Sequence, residues 1–304
     1  CRGDKPIIFT FWALNKGNPP MTVKIVADSA CDVPEHLAQT LGITIVPVYI
    51  NVGETSFREG VDISREEFYR NLPNYPVYPT TAAPATGMFT AVYDELAAAG
   101  ATEIISIHIA SSISATYNAA RLGAEASEAK VTVFDSEQIT MGSGLQVLAA
   151  AEAAAAGHSA AEIVAMLQTW ARRTRVFGMI DSLEALRRSG RVNWAQFGLG
   201  TLLQIKPVMM IRQGEVSVVA KIRTRKKALS QTIEMVQQIG PFERLAFIHV
   251  NAPDAVEELR QMTEGIFNTA HPPLVMGITP AIGTHLGLGA VGFASISAQD
   301  EKAI

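Results

Sequence analysis

The chain has 304 residues, 48% of them hydrophobic and 18% charged, with 25 Lys and Arg against 29 Asp and Glu for a formal net charge of −4. That balance excludes a disordered, fibrous or globally nucleic-acid-like chain, and the length suits one large or two medium domains at about 100–200 residues each. Charge below the roughly 25% of ordinary soluble domains, with a positive mean hydropathy, hints at an internal apolar cavity beyond the core itself.

Ile7–Leu14 follow Arg2 and Lys5 like a poor signal peptide, but they lead into Asn15-Lys16-Gly17-Asn18-Pro19-Pro20 with no small-residue cleavage site. Residues 1–20 therefore read as an upstream extension, with Met21 as the natural start. Val23–Ala27 predicts a strand and Asp28–Pro34 a polar turn, after which a helix runs to Leu41 and stops at Gly42. Ile43–Ile50 predicts a second strand. Asp62-Ile63-Ser64 caps a helix whose first turn holds Glu66 and Glu67, where carboxylates oppose the positive helix end. Tyr75–Pro84 is a Pro/Thr-rich loop, and Met88, Phe89, Val92 and Leu96 mark the apolar face of the next helix. Glu103–Ile109 then reads as a buried strand, Ser111–Ser114 as a loop, Ala115 to Ala126 as a helix and Val131–Phe134 as another strand. Such alternation predicts an α/β fold with a parallel or mostly parallel sheet covered by helices.

Ser159 can cap a helix to about Ala171, where the composition changes. Residues 171–230 hold 13 Lys and Arg and 3 Asp and Glu, a local net of +10 that leaves −14 for the rest. Val208–Ile211 and Val216–Arg225 around Gly214 predict a hairpin, followed by a helix through Val236, a strand at Leu245–Val250 and a helix from Pro253 to about Phe267. Strands at Leu274–Ile278 and Ala290–Ile296 complete the chain. The expected division is an N-terminal α/β domain over 21–170 and a C-terminal α/β domain of mixed sheet over 171–304.

Several chemistries drop out. Cys1 and Cys31 cannot build a disulfide framework or a cysteine metal site, which makes a reducing compartment the default. Glu152 interrupts the Ala-rich stretch from Leu145 to Ala156, so no apolar run is long enough to span a membrane. The six histidines never take a metal-binding spacing, and His108 and His249 alternate with apolar strand residues as structural histidines would. Gly287-Leu288-Gly289-Ala290-Val291-Gly292 matches a dinucleotide fingerprint only in letters, since it leads into a strand rather than a helix. No Gly-x-Ser-x-Gly elbow occurs.

Polar residues gather just past the predicted strand ends, at Asp28-Ser29, Thr80-Thr81, Ser111–Ser114 and Asp135-Ser136, which is the edge where open α/β sheets bind ligands. Two hydroxyl-rich loops, Thr80-Thr81-Ala82-Ala83-Pro84 and Ser111-Ser112-Ile113-Ser114-Ala115-Thr116, each precede a helix. Helix starts offer free N–H groups to anions, and hydroxyls add donors; plain N-capping would use the same residues. Neither loop contains Lys or Arg, which suits a carboxylate better than a phosphate. His285 sits in what reads as a Gly-rich loop, Gly283-Thr284-His285-Leu286-Gly287, where imidazole can donate to a ligand.

Taken in order, Val23–Pro34 (VKIVADSACDVP), Thr80–Pro84 (TTAAP), Ser111–Asn118 (SSISATYN), Leu183–Arg191 (LEALRRSGR), Leu202–Val208 (LLQIKPV) through Lys221–Lys227 (KIRTRKK), and Gly283–Gly289 (GTHLGLG) resemble the DegV family of bacterial fatty-acid-binding proteins. The resemblance covers nearly all of 21–300. It implies two α/β domains enclosing a long-chain fatty acid such as palmitate, with no other cofactor and no catalytic residue. It further implies that the carboxylate is presented in the cytoplasm to a partner fatty acid kinase, which makes an acyl phosphate for phospholipid synthesis. Carried over by position, Thr81 and Ser114 hydrogen-bond the carboxylate and His285 supports them. Asp28, Ser29, Ser112, Thr116 and Gly283 become candidates for pocket or loop support, while Arg191, Arg223 and Arg225 face the partner. The chain departs from the family in having Ala82-Ala83 where Ser-Gln is common, Ala115 where Gly is common and Leu288 where Pro is common. The competing expectation is an enzyme on a small carboxylated or phosphorylated metabolite, with Asp28, Asp135 and His285 as acid and base groups and Arg191 binding phosphate. Nucleic-acid binding through the basic stretch with Trp194 and Phe197 is the weakest expectation, and no membrane insertion is expected.

Overall fold

Val23–Asp28 (β1) and Thr44–Val46 (β2) lie side by side, parallel, in the computed structural model, which describes residues 22–181, 183–191 and 205–299. The extension at 1–20 and the aromatics Trp194 and Phe197 lie outside those residues. The apolar run read as one strand over 43–50 divides at Pro47, which cannot donate to a ladder. Beyond it, Tyr49–Val52 (β3) joins a separate antiparallel sheet with Thr55–Arg58 (β4) and Thr80–Ala82 (β5), in the order β4-β3-β5. Within the Pro/Thr-rich loop expected over Tyr75–Pro84, Thr80–Ala82 forms a strand, with Thr81 opposite Ile50. Glu103–His108 (β6) and Val131–Asp135 (β7) complete the first sheet, β2-β1-β6-β7, all of whose pairs are parallel.

The strands of the second sheet all follow residue 173. Thr174–Met179 (β8), Lys206–Arg212 (β9), Glu215–Ile222 (β10), Phe242–His249 (β11), Leu274–Gly277 (β12) and Val291–Ser297 (β13) take the order β10-β9-β8-β13-β11-β12. Only β11 and β12 pair in parallel, so this sheet is mixed as expected. Gly292 of the false nucleotide fingerprint lies in β13 opposite Gly178.

The helices among the described residues are, in chain order, α1 (Glu35–Leu41), α2 (Arg65–Asn71), α3 (Thr86–Ala98), α4 (Thr116–Ala126), α5 (Thr140–Ala155), α6 (Ala160–Arg173), α7 (Leu183–Ser189), α8 (Arg225–Gln238), α9 (Pro253–Met262) and α10 (Pro280–Leu286). Two of them place the site. Helix α5 packs on β1 and β6 of the first sheet and on β8, β11 and β13 of the second, so one apolar core runs from Ile25 and Ile107 through Leu145 and Leu148 to Val176 and Ile296. Helix α10 occupies the segment read as a Gly-rich loop: Pro280 presets φ in its first turn, and Gly287, at φ 82°, ends it. No described helix is long and apolar enough to cross a membrane.

Candidate functional site

Three elements from distant parts of the chain converge on one cavity. Strand β5 brings Thr81, the approach to α4 brings Ser114, α4 itself begins with Thr116, and α10 brings His285. Thr81 Oγ1 lies 2.9 Å from His285 Nε2. Ser114 Oγ lies 2.8 Å from Thr116 Oγ1 and accepts the Thr116 N–H at 3.2 Å, which answers a free donor at the start of α4. All four side chains line one cavity of about 180 Å³, with Ile109, Ile113 and Ile282 among its apolar walls.

Arg191 lines the same cavity, so its donors are not all neutral. Reading the two hydroxyl loops alone missed this, because Arg191 follows α7, far away in sequence. Its guanidinium is steered by a 2.6 Å hydrogen bond to the Ser189 carbonyl, and Gly190, at φ 66°, supplies the turn between them. Burial, with the Arg191 charge adding to it, pushes the His285 imidazole down to about 4. His285 is therefore neutral near pH 7, and one ring nitrogen carries a proton while the other accepts.

The apolar space expected to enclose a long-chain fatty acid is not continuous. Helix α10 divides the space, with Ala281, Ile282 and His285 on the polar cavity and Leu286 on a second, almost wholly apolar crevice of about 30 Å³. Val176, Met209, Ile211 and Ile248 close the crevice from the second sheet. Both volumes fall below the roughly 300–1,000 Å³ of ordinary ligand pockets. Apolar side chains close over such space because an unfilled void forfeits dispersion contacts on one side.

Of the residues expected to support the pocket or its loops, Thr116 lines the cavity and the others do not. Asp28 is fully buried and does not line the cavity; its carboxylate takes the Ala30 and Ile109 N–H groups and faces His108. Ser29 donates to Glu59 at 2.5 Å and accepts the Val48 N–H. Ser112 ties the first sheet to the β9–β10 turn through the Gly214 carbonyl at 2.6 Å. Gly283 is a packing residue, because a Cβ there would lie 1.8 Å from the Tyr69 hydroxyl. Arg223 is exposed, whereas Arg225 is tied to Asp181 at 3.3 Å and to the Gly289 carbonyl. Asp135 holds the Ser111 and Glu137 N–H groups. The acid–base set of the enzyme reading is thus not assembled, since of Asp28, Asp135 and His285 only His285 reaches the cavity. Among the described residues no group of three or more His, Cys, Asp or Glu side chains is gathered to hold a metal ion.

The model of the DegV family, described as uncharacterised proteins, matches residues 22–298. The chain belongs to the DegV family. DegV domain-containing proteins of Listeria innocua and Deinococcus radiodurans are 34% and 35% identical to it, over 89% and 90% of this chain and 96% and 98% of theirs. Among solved structures, a DegV family protein from Thermus thermophilus, described for its fatty acid binding, has a TM-score of 0.83 at 32% identity, covering 91% of this chain and 100% of that one. DegV from Bacillus subtilis, described as a fatty acid binding protein, has a TM-score of 0.82 at 29% identity, covering 91% and 99%. The parallel first sheet and mixed second sheet are those of DegV structures.

Proposed function

We propose that this chain binds one long-chain fatty acid, with the carboxylate in the polar cavity and the tail directed past α10 into the apolar crevice. The observation that carries the reading is the 2.9 Å contact between Thr81 and His285 on the wall of a cavity shared with Ser114 and Arg191. A bound carboxylate selects the tautomer with the proton on Nε2: the ring then donates to Thr81 Oγ1, and the Thr81 hydroxyl hydrogen is released to the ligand. Ser114 donates a second hydrogen bond and Arg191 adds charge at the mouth. The fatty-acid binding described for the Thermus and Bacillus relatives supports the same ligand class.

Burying about 15 methylenes at roughly 0.8 kcal/mol each yields about 12 kcal/mol before association and ordering costs, against about 1 kcal/mol net for each neutral hydrogen bond. The tail therefore dominates affinity, opening the crevice as it replaces side-chain contacts there, and the polar end fixes which way the acid lies. On this reading the chain is a non-catalytic carrier of two domains, 21–170 and 171–304, acting in the cytoplasm. Arg191 and Arg223 then lie toward a fatty acid kinase that phosphorylates the exposed carboxylate for phospholipid synthesis.

Organic extraction of the denatured, purified protein followed by mass spectrometry tests the reading. A stoichiometric C14–C18 acid is expected, and Thr81→Val with Ser114→Ala should lower its retention. Protein that carries no lipid and takes up none from added palmitate refutes it.

A further inference from the structure

Helix α10 has only seven residues, yet its first turn is gripped by three buried side chains from the N-terminal part of the chain. Asp32, in the turn after β1, accepts the Thr279 N–H at 2.8 Å and is itself held by the Thr140 hydroxyl. Glu59, just past β4, accepts the Ala281 N–H at 2.6 Å through Oε1, while Oε2 takes the Ser29 hydroxyl. Tyr69 of α2 donates to the carbonyls of Ile278 and Thr279, at 2.9 and 3.1 Å, and fills the place a side chain at 283 would need. Asp32 and Glu59 are only 1% and 4% exposed.

Burying carboxylates is costly, and the first N–H groups of a helix have no partner within it. Whatever accepts those N–H groups sets the height and rotation of so short a helix. Ala281 and His285 lie one turn apart on the same face and both line the polar cavity, so displacement at one is carried to the other. Asp32 and Glu59 line a different cleft, of about 620 Å³, together with Thr279 and Pro280, and neither reaches the polar cavity.

We propose that Asp32, Glu59 and Tyr69 are positioning residues: they fix α10 against the first part of the molecule so that His285 Nε2 meets Thr81 Oγ1. Only the consequence for carboxylate binding rests on the function proposed above; the geometric claim stands apart from it. The titration of His285 reports its surroundings directly, with Thr81 bonded to the ring and Arg191 the charge facing it.

The experiment is a histidine-labelled NMR titration of the full chain, with the His285 resonance assigned by its loss in His285→Asn. The wild-type midpoint is expected near 4. Glu59→Ala should move it toward the ordinary 6.5 as the ring leaves Thr81 and gains water, and Glu59→Gln, whose amide oxygen still accepts from Ala281, should restore it. Ser29→Ala frees one Glu59 oxygen and should shift it the same way by less, which keeps the test available if Glu59→Ala does not fold. A purely structural role would lower the melting temperature and leave the midpoint in place; an unmoved midpoint in every folded variant overturns the proposal. Lipid extraction on the same samples separates the two readings: wild-type protein that carries no fatty acid and takes up none from added palmitate defeats the binding function and leaves this titration intact.

Discussion

Asp28 uses both carboxylate oxygens inside the first sheet, one on the Ala30 N–H at 3.1 Å and the other on the Ile109 N–H and His108 Nδ1, at 3.2 and 3.0 Å. The chain of contacts continues, because His108 Nε2 meets Ser106 Oγ at 2.7 Å and Ser106 accepts the Tyr93 hydroxyl at 2.8 Å. Because Ser106 accepts from Tyr93, its own hydrogen goes to Nε2, and Nδ1 donates to Asp28. Acid, imidazole and hydroxyl in succession have the form of a nucleophile relay. All four side chains have zero exposure, however, so the row reaches no substrate and acts as a strut between β1, β6 and α3. His108→Leu strands an acceptor on Asp28 and a hydroxyl on Ser106. It is expected to cost about 1–3 kcal/mol per unsatisfied group, read as a lower urea midpoint, with fatty-acid stoichiometry unchanged. Loss of lipid at unaltered stability would instead make the row part of the site.

At the scale of elements, helix starts are legible in the local sequence. Ser64 caps α2 by accepting the Glu67 N–H, and Ser159 with Glu162 forms a full capping box on α6. Helix α5 escaped because it has no polar stripe: every residue from Thr140 to Ala151 is buried, as in a helix enclosed on all sides. Its glycines are fitted to that enclosure. A Cβ on Gly144 would lie 2.3 Å from the Cys31 carbonyl oxygen, in a turn that cannot retreat without disturbing Asp28 and Asp32. Gly144→Ala should therefore destabilise the protein by about 1–3 kcal/mol, the usual range for overpacking, seen as a lower melting temperature. A neutral result would mean that α5 can slide between the sheets. Helix α10 escaped for another reason, since its glycines resemble a loop and the groups that hold it come from residues such as Tyr69, 209 positions before Ile278. The hydroxyls of Thr81 and Ser114 stood out because they are dense in short segments, whereas Arg191 enters the cavity only through tertiary folding.

Across the whole molecule, α10 is held to the N-terminal part of the chain through groups that respond to pH in opposite senses. Burial pushes Asp32 up to about 6, against the pull of Arg65, and pushes Glu59 up to about 7, with the Asp32 charge adding to the shift. Each binds more proton in the native state than in the unfolded one, so its contribution is fully present below the unfolded value and is lost as pH rises through the native value. For Glu59 that window runs from 4.5 to about 7. His285 works the other way, because its lowered value makes the unfolded chain the better proton acceptor between 6.5 and about 4, and stability falls as pH drops through that range. Comparing wild type with Glu59→Gln cancels the His285 contribution, since both carry that residue and the amide keeps the contact to Ala281. The stability advantage of wild type over this variant should be greatest at or below pH 4.5 and should shrink, or change sign, as pH passes 7. Urea midpoints of the two proteins measured across this interval check the sign. A gap that widens with rising pH would mean that Glu59 is favoured as an ion, which requires a cationic partner at the clasp closer than Arg65.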